Sequence, residues 1–451
     1  MPTVSDSLVE SPQTGPAPHS ESSHTPLPEI SHPPEPGSEV TPVPVDSGMA
    51  MVPGLQPVQQ VTAVSGTHDY LVAADASGNS LISWLGAEQS IYVRGYDSKG
   101  QPQGPEYHFN KSRVDTGGGL ALASAAAGKF LLVSRSQALL DATDQRLNAV
   151  FLDSSGQPVG TGFSFTHPAH DPNLATPTIA LLPYGSVDSP TIAHEGPGRL
   201  LFVWKRRQIS DFPYNLVARR YDSDGHALGE EFQLSERELK SFAVASNATA
   251  QPVLVFLQHV GGLKDSIGHP VEGTRSVINV QRYDDQSKAL GEPTQIEIHF
   301  PDFLAKSEAK PALAMAANGA FLVSWRDLSS LPGSLPSTSS QAVFVQRFDP
   351  EGNQLGKPIE VNPPEKATGT DPLVASQPQG AFGVLWAATD QNIYLQSYDR
   401  LGQALGTAFQ VNASPCDEGA GFALSADPHG YLISWRGKDG GLYARRYLHE
   451  E

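Results

Sequence analysis

Phe321-Leu-Val-Ser-Trp325, and after an interruption Val345-Gln-Arg-Phe-Asp-Pro-Glu-Gly-Asn-Gln-Leu-Gly356, is the stretch whose reading decides the fold. Both halves are rich in β-branched and aromatic residues, as strands are. The second half runs into Asp349-Pro-Glu-Gly352, a turn in which the Asp side chain accepts from the backbone two residues on and Gly supplies a left-handed conformation. The same phrase, aromatic-Asp-x-x-Gly-x-x-x-Gly, occurs six times: at Tyr96-Asp97, Leu152-Asp153, Tyr221-Asp222, Tyr283-Asp284, Phe348-Asp349 and Tyr398-Asp399. Leu152 replaces the aromatic residue in the second copy. Ser287 replaces the first Gly in the fourth, which predicts the most strained of the six turns there. Successive Asp residues lie 56, 69, 62, 65 and 50 positions apart. A strand repeat of that length implies a closed array of small sheets rather than one large sheet.

Working outward from the quoted copy gives a four-strand unit. Pro311–Met315 is an inner strand, Ala316–Gly319 a turn, and Ala320–Trp325 a second strand. Ala342–Phe348 is the third strand and Lys357–Val361 the outer one. Seven second strands follow the same pattern: Leu81–Trp84, Phe130–Arg135, Leu200–Trp204, Val253–Phe256, Phe321–Trp325, Phe382–Trp386 and Tyr431–Trp435. All five tryptophans end such a strand. A ring of ligand-stacking platforms is the alternative to the reading adopted, large wedges between neighbouring units. The last unit stops at its third strand, Leu442–Tyr447, while an unassigned strand-like stretch, 56–61, precedes the first unit. This stretch is expected to supply the missing outer strand and so remove the free edges of an open array.

The phrase at 345–356 after 321–325 resembles the β-propeller repeats of bacterial surface and secreted proteins, over residues 55 to 447. It lacks the Gly-His and Trp-Asp pairs of WD40 repeats and the Ser-x-Asp-x-Gly-x-x-Trp box of sialidases. The expected fold is therefore all-β: a seven-bladed β-propeller of four-stranded antiparallel blades spanning 51–451, closed by an N-terminal strand at about 55–62. The resemblance implies adhesin, scaffold or binding roles and names no ligand.

Composition narrows the function. The formal charge of −18 argues against nucleic acid or an anionic membrane as the main partner. No run of 18 apolar residues suggests a membrane span, and the first residues lack the basic and apolar regions of a secretory signal. The cytoplasm, or export by a signal-independent route, is the expectation. The single cysteine, Cys416, excludes an internal disulfide framework and reads as an inert small residue. Residues 1–50 hold 7 acidic side chains, no Lys or Arg, and prolines at short intervals. They are expected to form a disordered tail, a spacer or a Pro-rich docking segment around Pro33-Pro34-Glu35-Pro36.

The repeat grammar separates two faces. Turns between strands one and two, and three and four, are short and Gly-containing. Long insertions (166–189, 205–215, 258–275, 298–310, 327–341) all join strand two to three or one blade to the next, on the opposite face. That face either carries specificity or tolerates drift. Its candidate ligand-binding residues are Trp204, Lys205, Arg206, Phe212, Tyr214, Arg326 and Arg436, with Arg135 as a further rim cation. The cations could hold an anionic group, or pair with an aromatic or acidic neighbour. His167, His170, Asp171, His259, His269 and His299 share the face without metal-ligand spacing. Asp222-Ser-Asp224-Gly225 resembles half a calcium loop but lacks the Glu near position twelve. No metal and no cofactor is expected. Arg220, Arg282, Arg347 and Arg446 recur two residues before the Asp position, as a structural pair between neighbouring strands would.

No Gly-x-Ser-x-Gly elbow, phosphate loop or zinc motif is present. The leading expectation is a non-enzymatic binding or scaffold module that recognises a protein partner through the long-loop face. The alternative is a glycan-binding lectin or adhesin stacking sugars on Trp204, Phe212 and Tyr214. A hydrolase or lyase with acids at the central channel is the third reading.

Overall fold

A computed structural model describes residues 52–449 except for internal stretches, the longest being 110–119, 138–144, 167–190, 208–213, 261–274, 299–309 and 328–341. Residues 1–51, with the expected tail, lie outside it. Seven four-stranded antiparallel sheets make up the described chain. Blade one is β2 (His68–Ala74), β3 (Ser80–Leu85), β4 (Ile91–Tyr96) and β5 (Tyr107–Phe109). Blade two is β6 (Leu120–Ala126), β7 (Lys129–Gln137), β8 (Gln145–Asp153) and β9 (Phe163–Thr166). Blade three is β10 (Thr191–His194), β11 (Arg199–Arg207), β12 (Tyr214–Asp222) and β13 (Phe232–Ser235), and blade four is β14 (Phe242–Ala245), β15 (Val253–Val260), β16 (Arg275–Arg282) and β17 (Thr294–Ile298). Blade five is β18 (Ala312–Met315), β19 (Phe321–Asp327), β20 (Ala342–Phe348) and β21 (Ile359–Glu360), and blade six is β22 (Leu373–Ser376), β23 (Phe382–Ala387), β24 (Ile393–Tyr398) and β25 (Phe409–Gln410).

Blade seven takes three strands from the C-terminal end, β26 (Phe422–Asp427), β27 (Gly430–Arg436) and β28 (Leu442–Leu448), and its outer strand from the other end, β1 (Gln59–Thr62). β1 pairs antiparallel with β28 through Gln59↔Ala444 and Gln60↔Tyr443, and an isolated bridge, Leu55↔Tyr447, extends the contact. The regular strand is shorter than the stretch expected from sequence. Each inner strand lies against the inner strand of the next blade, and β26 returns to β2. The fold is a closed seven-bladed β-propeller.

Central strands are buried on both faces, which is why β3, β19, β23 and β24 read as continuous runs without polar alternation. One face packs on the preceding blade and the other on the following blade, giving seven apolar cores, each shared by two neighbours. The tryptophans belong to these cores. Trp84, Trp325, Trp386 and Trp435 are at most 2% exposed, and each stacks on the residue opposite it in strand three, at ring distances of 5.7, 5.8, 5.7 and 6.1 Å. Trp204 has Val217 opposite instead and is only partly buried. The wedge reading holds for the four buried rings.

The six Asp turns share one hydrogen-bond scheme. The Gly N–H donates to the Asp carbonyl, at 2.9–3.2 Å in the five glycine copies, and Ser287 N donates to Asp284 O at 2.9 Å. At Asp349 burial works against ionisation. Hydrogen bonds from the Asn353 side chain and from the N–H groups of Asn353, Glu351 and Gly352 together outweigh it, and the carboxyl is held below its ordinary value of 3.8. Asp222 is lowered in the same way. A depressed carboxylate contributes stability that is full above pH 3.8 and lost as pH falls through the lower folded value. Melting temperature is thus expected to fall on acidification below about pH 4, with Asp349→Asn removing part of that slope. The step is small because the carboxylates are largely solvated.

The recurring arginines correct an expectation. Arg220, Arg282 and Arg347 join neighbouring blades, not neighbouring strands, and their acceptors are mostly main-chain carbonyls. Arg282 Nη1 donates to Glu351 O of blade five. Arg347 donates to Leu401 O and, at 2.7 Å, to Arg400 O of blade six. Arg220 Nη1 donates to Ser287 Oγ at 2.7 Å, and its Nη2 to Ala250 O at 2.9 Å. Between blades two and three Lys129 takes this part, donating to Ser223 O at 2.6 Å. Each of these side chains staples its blade to the next blade's turn.

The staple accounts for Ser287. Its φ of +68° is the left-handed geometry a non-glycine residue adopts at a cost, and its hydroxyl is the acceptor that Arg220 uses. Ser287→Ala is expected to lose about 1–2 kcal/mol, keeping the strain and leaving Arg220 short of an acceptor. Ser287→Gly is expected to stay within about 0.5 kcal/mol of the parent, since relief of strain of about 1 kcal/mol offsets the lost bond. Urea titration of both variants checks the difference.

Candidate functional site

Antiparallel alternation puts the Asp turns on one face and the strand two-to-three and blade-to-blade connections on the other. Much of the second face, including Phe212, His167, His170, Asp171, His269 and His299, lies outside the described residues. Lys205, Arg206 and Tyr214 sit at the ends of β11 and β12, where Arg206 pairs with Asn215 and Arg207 with Tyr214 in the ladder; Arg135 in β7 faces Leu147. His259 is a ladder residue of β15 opposite Ser276. Among the described residues no group of three His, Cys, Asp or Glu could hold a metal.

Blades five to seven show the rim in detail. Arg326, buried at the end of β19, has Nε 3.2 Å from Asp371 Oδ1. Burial raises the Asp371 carboxyl above its ordinary range, and Arg326 and Lys310 oppose that. Arg436, at the end of β27, lies 3.8 Å from Asp417. Trp325 and Trp435 stack on their own strand partners, so both rim arginines have carboxylate neighbours beyond the adjacent ring.

In blade six Lys366, Asp390 and Tyr394 close a triangle. Lys366 Nζ donates to Tyr394 Oη at 2.5 Å and lies 3.1 Å from Asp390 Oδ2, and Tyr394 Oη donates to the same carboxylate at 2.7 Å. Tyr394 and then Asp390 raise the lysine's affinity for its proton. At Asp390 burial works against ionisation, but Tyr394, Lys366 and Asn392 outweigh it and lower the carboxyl. Blade seven repeats half the arrangement: Tyr443 donates to Asp439, and burial, then Asp439, push its phenol up to about 12. Lys438 donates to Gln391 and ties the two blades together at this face. Such a triangle stores no free nucleophile. It presents fixed charges and hydroxyls.

Sequence reasoning passed over Lys366, Asp371, Asp390 and Tyr394. A signal was present for two of them. Asp390 and Tyr394, like Asp439 and Tyr443, are an Asp four residues before a strand-three Tyr, in the same turn of adjacent blades.

The described inner strands around the axis are built almost wholly of Ala, Leu, Val, Ile, Phe, Met, Ser and Thr. Titratable groups occur toward their ends, at His68, Asp69, Tyr70, His194 and Asp427. Tyr70 donates to Gly421 O across the blade one to blade seven junction, and burial raises its phenol.

No protein-family model matches the chain, and no curated protein sequence matches it. Among solved structures it is similar to an ulvan lyase of a new polysaccharide lyase family (11% identity, 86% of this chain and 95% of that one, TM-score 0.48). It is also similar to the Kuenenia stuttgartiensis hydrazine synthase (9%, 85% and 97%, TM-score 0.49). A third is the Aleuria aurantia lectin, a six-bladed β-propeller with a novel mode of fucose recognition (9%, 76% and 96%, TM-score 0.40). These are likenesses of fold alone.

Proposed function

We propose that the chain is a non-enzymatic binding module that recognises a protein partner through its long-loop face. The observation that carries this reading is the rim of blades five to seven. It offers ion-paired and hydroxyl-bearing groups (Arg326–Asp371, Lys366–Asp390–Tyr394, Arg436–Asp417) while four of the five tryptophans are sealed between blades. A polar, charged rim suits a wet protein interface with oriented charges. Repeated sugar stacking needs exposed rings at equivalent positions, and the tryptophans of blades one, five, six and seven are buried, which leaves the partly buried Trp204 without repeated counterparts. The apolar composition of the described inner strands gives a hydrolase or lyase at the axis little support. The repeat phrase's resemblance to surface-protein propellers suits a binding role.

The test places a photo-crosslinking amino acid at position 390 on this rim, and separately at 228 on the opposite face, in the full chain within its source cell. A discrete crosslinked protein from 390 and none from 228 is expected. Saturable binding of the purified chain to one sugar family on a glycan array, or equal crosslinking from both faces, would overturn the reading.

A further inference from the structure

The seam between blades seven and one departs from the other staples. Where Arg220, Arg282 and Arg347 reach into the next blade, Arg446 turns back to Asp427 of its own blade, and the Gly100 carbonyl is taken by Gln59 Nε2 at 2.7 Å. Beside this exchange lies a cleft of about 180 Å³, whose lining includes Gln59, Tyr96, Lys99, Arg445 and Arg446. Three cations line it and no carboxylate does, in a chain whose formal charge is −18. Asp427, behind Arg446, neutralises one of them.

Several polar atoms at this seam lack partners. Arg446 is 2% exposed, yet its Nε and Nη1 make no hydrogen bond. The Gln59 Oε1 and Tyr96 Oη atoms are likewise buried and unbonded. Buried polar atoms are nearly always satisfied, so a cluster of orphans beside a cleft marks a missing partner. The missing partner must accept from the Arg446 guanidinium and also donate one hydrogen to Gln59 Oε1, and the Lys99 side chain that lines the cleft favours an anion. Sulfate and chloride carry no proton near neutrality. A phosphate group supplies oxygens together with a hydroxyl, its own P–OH or one on the molecule that bears it.

We propose that this seam cleft binds a phosphate group, free or as a small monoester. The ligand joins Gln59 of the closing strand, Lys99 of blade one and Arg446 of blade seven, and so reinforces ring closure. This site is separate from the long-loop face.

The test is thermal melting of the full chain at pH 7 in rising inorganic phosphate, with chloride and sulfate at matched ionic strength and a hexose monophosphate as a further arm. A saturable rise of about 2–5 °C is expected in phosphate, smaller in sulfate, and absent in Lys99→Glu. Lys99 lines the cleft and is exposed, and only its backbone N bonds within the turn, so the variant is expected to fold; Lys99→Gln serves if it does not. A larger rise with the monoester assigns the group to a small metabolite, and no rise with it assigns free phosphate. Equal rises in phosphate, sulfate and chloride, or a rise undiminished in both Lys99 variants, overturns the proposal. Broadening of the phosphate phosphorus NMR line by the parent chain, lost in Lys99→Glu, gives an independent readout.

Discussion

Deleting residues 1–66 is expected to unfold the ring or leave it aggregating, whereas deleting residues 1–50 is expected to leave its melting temperature within about 2 °C. The two truncations differ by the segment that closes blade seven. Val58 and Val61 are 4% and 2% exposed and belong to the cores shared with blades six and one. Their burial contributes about 1.5–3 kcal/mol each. Gln56 N donates to Arg446 O at 2.8 Å, Leu448 N to Gly54 O at 2.9 Å, and Arg445 Nε to Gln56 O at 2.6 Å. Bonds of this kind contribute about 0.5–1.5 kcal/mol each. The sum is on the order of 5–10 kcal/mol, comparable to the whole stability of a typical domain. The deletion also leaves β28 as a bare edge, a template for pairing with another chain. Circular dichroism melts of both truncations decide the matter. Equal midpoints would mean that β1 does not hold the ring.

The second large effect concerns Arg446 and Asp427, whose side chains are 1% and 0% exposed and which bond through Arg446 Nη2 and Asp427 Oδ2. Removing one partner strands a buried charge, so Arg446→Leu is expected to cost about 3–5 kcal/mol. Asp427 also accepts from His429 N at 2.7 Å. Asp427→Asn keeps an acceptor there while removing the charge. The double variant Arg446→Leu with Asp427→Asn is therefore expected to be more stable than Arg446→Leu alone by at least about 1 kcal/mol. Denaturant midpoints of the four-member cycle check this. Strict additivity would show that the two groups do not interact.

Much of the architecture was legible because each repeat carries its own punctuation. Asp349 and Gly352 mark a turn whatever surrounds them, and the run from Phe321 to Trp325 needs burial on both sides to be soluble at all. Closure by an N-terminal strand followed from counting strands in the last unit. The partners of the recurrent arginines were not legible, because those contacts cross between blades that are dozens of residues apart. A pair read from local spacing alone lands on the neighbouring strand when the acceptor is the next blade's turn. Arg326 and Arg436 could be seen as rim cations, but Asp371 and Asp417 come from connections whose path local pattern does not define. Phe212 and the loop histidines lie in insertions that carry no repeat signal.

Sequence by itself therefore settled the strands, the turns, the count of seven blades and the closing of the ring, all of which follow from periodicity and backbone preference over a few residues. Tertiary structure decided which side chains are available for chemistry. It buried four of the five tryptophans between blades, as the wedge reading expected, and left Trp204 only partly covered. It turned Arg446 away from its expected partner and gathered Lys366, Asp390 and Tyr394 from separate segments. The reason is physical: a strand forms from local conformational preference, whereas exposure, pairing and charge environment depend on which distant segments the ring brings within a few ångströms.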